Sequence, residues 1–145
     1  IASITVASSS LNEAVGMLGK RVKPNITLED VDINNYDAII FVGGSGATEY
    51  FDNEVALNIA REANKKNKIL GAICIAPVIL ARAGVLEGRN ATVWDGEFIT
   101  ELKKNGARYT GKDVEVDGNI ITANGPGAAE KFGKTIEAKI KERMK

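Results

Sequence analysis

Apolar residues in this chain gather in short continuous runs that alternate with longer segments of helical periodicity. The runs cover residues 4–8, 38–42 and 68–74, and such runs are typical of parallel strands that are covered on both faces. Residues 54–67 place apolar side chains on one helical face, and Asn53 is positioned to cap that helix. The alternation predicts an α/β fold in which a mostly parallel sheet lies between layers of helices.

The second half of the chain continues this pattern. Pro77 suits the first turn of a helix and Gly84 suits its end. Asp117-Gly118, between two apolar segments, indicates a hairpin whose tight turn needs positive φ at both central positions. Residues 8–30 are rich in turn formers and are interpreted as loops with a small hairpin. The further predicted elements are helices over residues 76–83, 98–105 and 128–143 and strands over residues 90–93, 113–116 and 119–123.

The charge balance limits the expected partners. Lysine and arginine number 19 and so do aspartate and glutamate, which leaves a formal net charge of zero. A nucleic-acid partner would need a basic surplus, so none is expected, whereas low charge permits self-association as a dimer or larger homo-oligomer. No apolar run has the length of a membrane span, and residues 1–10 lack a signal-peptide pattern. We therefore expect no membrane partner and a cytoplasmic location.

The chain contains one cysteine and no histidine. A single thiol excludes an internal disulfide and fits a reducing compartment. The absence of an imidazole excludes a Cys–His hydrolase site and a histidine-ligated metal site within this chain. We accordingly expect no metal and no other cofactor.

The candidate chemistry lies at Cys74, which ends a predicted strand just before a predicted helix. Alanine stands two residues to either side, at Ala72 and Ala76, as the sharp turn of a nucleophile elbow requires. The helix start favours the thiolate and predicts a lowered pKa for Cys74. The backbone N–H groups of Ile75 and Gly44 are the expected oxyanion donors. The plain alternative is that Cys74 is a small buried apolar residue.

These residues resemble the ThiJ/PfpI superfamily, which includes the parkinsonism-associated deglycase and the PfpI-type intracellular proteases. The segment Gly71-Ala72-Ile73-Cys74-Ile75-Ala76-Pro77 looks like the family's elbow. Segments 37–44, 83–89, 116–122 and 125–127 resemble further family motifs in the same order. The resemblance implies a flavodoxin-like three-layer sandwich, frequent oligomers, and a nucleophilic, easily oxidised Cys74.

The sequence also departs from the family pattern. Ile75 stands where the PfpI-type proteases carry histidine, and Asn124 stands where arginine often precedes the final Gly-Pro-Gly turn. The family's glutamate partner of the cysteine has no counterpart, and residues 4–8 resemble the family's second strand. We expect residues 1–145 to form a single domain that lacks its first strand and helix, which would precede Ile1 and supply the acidic partner.

Several other residues are weaker candidates for the site. Glu49 follows the glycine turn and Asn124 follows a predicted strand, so both are candidate site-lining residues, although an exposed loop carboxylate is the simpler interpretation of Glu49. Asp95 and Glu97 lie near Trp94 in a segment that either lines the pocket or forms a solvated loop. The glycine turn after residue 42 lacks the Lys-Ser/Thr ending of a phosphate-binding loop.

Three functions are consistent with these features. The first is a cysteine-dependent enzyme of the glyoxalase, deglycase or amidohydrolase type that acts on small carbonyl or acyl compounds. The alternative is a non-catalytic, redox-sensing member of the superfamily with a role in stress response, in which Cys74 is oxidised to a sulfinate. An intracellular peptidase is the third, and the absence of histidine disfavours it.

Overall fold

The computed structural model describes residues 5, 7–8, 14–15, 21–22, 25–43 and 45–144, in two compact units that divide after Asp32. The first unit contains strands β1 (Ala7–Ser8), β2 (Ala14–Val15), β3 (Arg21–Val22) and β4 (Ile26–Thr27). Strand β1 pairs in parallel with β4, and β2 pairs antiparallel with β3. The β2–β3 pair is the small hairpin predicted within residues 8–30, whereas β4 was not predicted. Of the strand predicted over residues 4–8, β1 covers the last two residues, and residues 4 and 6 lie outside the described residues.

The second unit contains the main sheet and the helices. Its strands are β5 (Ala38–Val42), β6 (Ile69–Ile73), β7 (Asn90–Ala91), β8 (Arg108–Tyr109), β9 (Val114–Asp117) and β10 (Ile120–Ala123). Its helices are α1 (Glu54–Lys65), α2 (Pro77–Arg82), α3 (Phe98–Lys104) and α4 (Ala129–Arg143). The main sheet has the order β5-β6-β10-β9, and β7 pairs with β8 in a separate short ladder.

This unit has the three layers that the sequence predicts. Strands β5, β6 and β10 run parallel, and β9 joins β10 as an antiparallel hairpin partner. Helix α4 covers one face of the sheet, where Phe132 packs with Ile69 and Ile121. Helices α1, α2 and α3 cover the other face, where the larger core lies around Leu70 and Leu80. The fold is therefore α/β with a mostly parallel sheet between helical layers.

The helix boundaries have clear local causes. The side chain of Asn53 accepts hydrogen bonds from Val55 N at 2.9 Å and Ala56 N at 3.1 Å, so the predicted cap of α1 is confirmed. Helix α1 ends two residues earlier than predicted, and Asn67 then takes a left-handed φ of 56° that turns the chain into β6. Gly84, with φ 84°, ends the segment after α2 as predicted. No described helix is both long and apolar enough to cross a bilayer.

One local prediction, the position of the hairpin turn, needs correction. The β9–β10 hairpin is present, but its two-residue turn is Gly118-Asn119, and only Gly118 has positive φ, at 61°. The side chain of Asn119 donates to Lys68 O at 2.9 Å and Asn64 Oδ1 at 3.1 Å, so Asn119 anchors the turn to the end of α1. The sequence also gave no signal for β8 or for a 3₁₀ helix over Ser45–Tyr50.

Candidate active site

Cys74 lies at a sharp turn between β6 and α2, as the sequence predicts. Its φ is 68°, a left-handed conformation that a non-glycine residue rarely adopts. Two backbone hydrogen bonds fix it: Cys74 N donates to Ala123 O at 3.0 Å, and Trp94 N donates to Cys74 O at 2.8 Å. Such surroundings are needed to hold a strained residue in place, and strained residues cluster at active sites.

The elbow is packed so closely that only small neighbours fit. Ala72 and Ala76 are fully buried on either side of Cys74, where the sequence predicts that only small side chains are tolerated. Gly43 N donates to Ile73 O at 3.1 Å, and a Cβ on Gly43 would stand 2.5 Å from that oxygen and 2.8 Å from Ile75 N. Gly43 is thus the glycine that lets β5 approach the elbow. Gly44, the predicted oxyanion donor, lies outside the described residues.

The predicted low pKa of Cys74 is wrong for the residues described. Burial raises the pKa of the Cys74 thiol above its ordinary value, and the hydrogen bond from the backbone N–H of Ile75 lowers it by less. The thiol is half-buried. Helix α2 has only six residues, and the desolvation of the thiolate outweighs the help of one N–H group.

Ile75 has different roles for its backbone and its side chain. The N–H faces the sulfur of Cys74, as the effect on the thiol pKa shows. The side chain is only 8% exposed and belongs to the core that α2 shares with its neighbours. The position that is histidine in the proteases is therefore a packing position in this chain.

Helix α2, which carries the chain away from the elbow, is anchored at its far end by Arg82. Its guanidinium donates to Asp52 Oδ1 at 2.7 Å and to Glu101 Oε1 at 3.1 Å, and it lies 5.5 Å from the centre of the Phe51 ring. These contacts join α2 to α3 and to the turn before α1. Helix α2 is thus held at its start by the backbone hydrogen bonds of Cys74 and at its end by the contacts of Arg82.

The other predicted site residues have less direct positions. Asn124 follows β10, next to the Ala123 carbonyl that receives the Cys74 N–H, and its side chain donates to Asp113 Oδ1 at 3.3 Å. Glu49 is exposed on the 3₁₀ helix after β5. Asp95 and Glu97 are exposed as well, consistent with the solvated-loop interpretation. In the part of the chain that the structure describes, no cluster of acidic and sulfur ligands suits a metal ion.

Trp94 is a site neighbour whose importance the sequence did not show. Its backbone N–H holds the elbow carbonyl, yet its side chain is 47% exposed. The indole packs against the backbone of Gly125, where any Cβ would stand 2.7 Å from Cε3 and Cζ3 of the ring. The first glycine of the Gly-Pro-Gly turn thus provides the seat of this ring. The only sequence signal for this position beside the site was a single tryptophan directly before an Asp-Gly pair.

Comparisons with known proteins agree with this geometry. The profile of the DJ-1/PfpI family matches residues 2–139. An uncharacterized protein of Methanocaldococcus jannaschii is 45% identical, over 92% of this chain and 66% of its own length. The deglycase PfpI of Pyrococcus furiosus is 32% identical, over 86% of this chain and 74% of its own length.

Solved structures give the same result. A ThiJ/PfpI domain protein from Brachyspira murdochii superposes with a TM-score of 0.88 at 30% identity, over 91% of this chain and 76% of the other. The DJ-1beta of Drosophila melanogaster superposes with a TM-score of 0.81 at 26% identity, over 90% of this chain and 70% of the other. The described sheet, the elbow and the profile match all lead to one conclusion: the chain belongs to the DJ-1/PfpI family.

Proposed function

We propose that this protein is a cysteine-dependent enzyme that acts on small carbonyl or acyl compounds, in the manner of a glyoxalase, deglycase or amidohydrolase. The observation that carries the proposal is the strained, doubly anchored backbone of Cys74 at the carboxyl end of β6. Ligand sites of open α/β sheets lie at the carboxyl ends of the strands. The 32% identity to a protein named deglycase PfpI supports the same class.

In the proposed reaction, the Cys74 thiolate attacks the carbonyl carbon of the substrate. A C–S bond forms, and the π electrons of the carbonyl move to its oxygen. The N–H of Ile75, which faces the sulfur at rest, then donates to this oxyanion, together with the N–H of Gly44. With an acyl substrate, the bond to the leaving group breaks, the leaving group takes a proton, and water hydrolyses the thioester to an acid and the free thiol.

The raised pKa of Cys74 indicates what the described residues still need. Burial raises the pKa of the Cys74 thiol, so a proton acceptor must take the thiol proton during attack. Because the chain has no histidine, we propose that a carboxylate performs this step. The same absence excludes a Cys–His pair formed by residues 1–145 alone, whether in one copy or between copies in a homo-oligomer.

We propose further that a strand and a helix preceding Ile1 complete this domain and carry that carboxylate. In the second unit, β5 is the edge strand of a parallel sheet, although its sequence is as apolar as that of a central strand. On the face that α4 shares, Ile40 is 36% exposed and Val42 is 74% exposed. The chain also spans only 66% of the Methanocaldococcus relative.

Val42→Asp in the full-length protein tests this completion. If a further element covers Val42, the charge is buried and the free energy of unfolding falls by about 3 kcal/mol or more. Met144→Asp is the matched control, because Met144 is similarly exposed, at 78%, near the end of α4, and its cost is expected to stay within about 0.5 kcal/mol. Equal, small costs in urea unfolding would contradict the proposal.

The remaining parts of the proposal concern location and assembly. A lone thiol without disulfide partners supports a cytoplasmic protein. The zero formal net charge supports a homo-oligomer, because little electrostatic repulsion opposes self-association. Light scattering on the full-length protein measures the assembly directly, and a monomer at all concentrations would exclude it.

Incubation of the full-length protein with methylglyoxal tests the activity. Wild type is expected to convert methylglyoxal to lactate: the thiolate adds to the aldehyde, the proposed carboxylate moves a proton from C1 to C2 to give a lactoyl thioester, and water releases lactate and the free thiol. Cys74→Ala is expected to lose at least about a thousandfold in kcat/KM, because the nucleophile is gone. Circular dichroism shows whether the variant is folded. Activity that survives in folded Cys74→Ala overturns the mechanism. An inactive wild type that gains two oxygens at Cys74 in dilute peroxide would support the redox-sensing alternative instead.

A further inference from the structure

Among the aromatic side chains, Trp94 stands apart in its exposure. The four phenylalanines and three tyrosines of the chain are all described, and each is buried or half-buried. Trp94 is 47% exposed, and it is the only tryptophan. An aromatic ring of this size usually buries most of its apolar surface in a core or an interface. Its exposure beside the elbow calls for a physical reason.

The position of the ring relative to the nucleophile is set by the backbone. Trp94 N donates to Cys74 O at 2.8 Å, so the two residues are direct neighbours in space. Gly125, on which the ring packs, lies two residues after Ala123, whose carbonyl accepts the Cys74 N–H. The indole thus lies beyond the carboxyl end of β10, and Cys74 lies at the carboxyl end of the neighbouring parallel strand β6.

The ring is also held in a defined orientation. Two ring atoms, Cε3 and Cζ3, contact the Gly125 backbone so closely that no side chain fits there, while a Cβ on Gly96 would lie 3.7 Å from Cδ1. Glycine backbone thus flanks the indole on both its benzene and its pyrrole sides. A ring that is already ordered loses little conformational entropy when a ligand packs on it.

We infer that Trp94 is a specificity-determining residue, whose exposed indole binds a planar aromatic substituent on the carbonyl compound that Cys74 attacks. The inference rests on the proposed function for its catalytic consequence, although binding to the ring does not depend on turnover. Stacking of one ring on another stabilises a complex beyond the apolar area that it buries. Substrates with an aryl group next to the reacting carbonyl are therefore preferred over those with a methyl group.

The first experiment measures binding without chemistry. The probe is the indole Nε1–H resonance of Trp94 in full-length Cys74→Ala labelled with ¹⁵N. Trp94 is the only tryptophan of residues 1–145, and its resonance is assigned as the one that disappears in Trp94→Phe. Titration with the unreactive ketone acetophenone is expected to shift this resonance saturably, at a concentration at least about tenfold lower than acetone requires. Gly125→Ala displaces the ring and is expected to weaken the effect. No saturable shift with acetophenone would overturn the inference.

The second experiment measures selectivity. The ratio of kcat/KM for phenylglyoxal to that for methylglyoxal is expected to fall at least about tenfold in Trp94→Ala and to recover largely in Trp94→Phe, which restores an aromatic face. An unchanged ratio in Trp94→Ala overturns the inference while leaving the proposed function intact. If neither compound is turned over but the indole resonance still shifts with acetophenone, the proposed function fails and binding at Trp94 stands.

Discussion

Strands β5 and β6 are neighbours with nearly the same sequence character and very different surroundings. Both have five residues in a continuous apolar run, and they pair in parallel along their whole length. All five residues of β6 are buried, whereas β5 has no fully buried residue. Helices cover β6 on both faces, while Ile40 and Val42 on β5 remain partly or largely exposed.

This difference shows what an apolar run does and does not determine. The run identifies a strand, because alternate side chains are apolar on both faces. It does not determine which neighbours cover those faces, because coverage depends on elements far away in the chain. In this protein the covered strand carries Cys74, the proposed nucleophile, at its end, and the less covered strand is followed by Gly43, which packs against the elbow.

The test with the largest expected effect shortens one apolar side chain on each of the two strands in the 145-residue chain. Leu70 on β6 is fully buried, so Leu70→Ala is expected to lower the free energy of unfolding by about 2–5 kcal/mol. Val42 on β5 is 74% exposed, so Val42→Ala is expected to change it by no more than about 0.5 kcal/mol. Urea unfolding measures both. A large cost for Val42→Ala would mean that this side chain is covered in solution.

The second test concerns the point where the two strands meet the elbow. Gly43→Ala places a Cβ against Ile73 O and Ile75 N, so the backbone of β5 or of the elbow must move. We expect a loss of about 1–3 kcal/mol in stability and a changed alkylation rate at Cys74. Gly127→Ala is the control, because a Cβ there meets nothing within 4 Å. Equal effects of the two substitutions would refute the close packing of Gly43.

The third test measures how the alkylation of Cys74, which follows the buried strand β6, depends on pH. Burial raises the pKa of the Cys74 thiol, so alkylation by iodoacetamide in the 145-residue chain should rise about tenfold per pH unit beyond about pH 8.5, without an earlier plateau. The Cys74 thiol therefore stays protonated to a higher pH in the folded state than in the unfolded state. The stability gained from the neutral thiol is therefore complete below the unfolded pKa and is lost as pH rises through the folded one.

Unfolding at about pH 7 and about pH 10 checks this sign. Wild type should lose more stability between the two values than Cys74→Ala, which has no thiol to titrate. A plateau of alkylation near neutral pH would show instead that a group beyond the described residues stabilises the thiolate.

The sequence predicted much of this fold because the decisive signals were local. The cap at Asn53, the helix end at Gly84 and the apolar runs of β5 and β6 each depend on a few adjacent residues. The elbow was predicted for the same reason, since Ala72 and Ala76 flank Cys74 directly. Family resemblance then gave the arrangement of these parts, which periodicity alone does not provide.

The parts that the sequence missed depend on contacts between distant residues. The raised pKa of Cys74 follows from burial by the surrounding core, which no neighbour in the sequence shows. The seat of Trp94 on Gly125 joins positions 31 residues apart. The turn at Gly118-Asn119 was misassigned by one residue because Asn119 binds the end of α1, a contact that a local turn rule does not include.

The left-handed φ of Cys74 places a cost in stability on this one residue. A non-glycine residue in that conformation costs on the order of 1–2 kcal/mol, which glycine would not. Glycine would accordingly give a more stable fold at the very position where the proposed reaction requires a thiol. Under the proposed function, the chemistry of the thiol offsets this cost in stability.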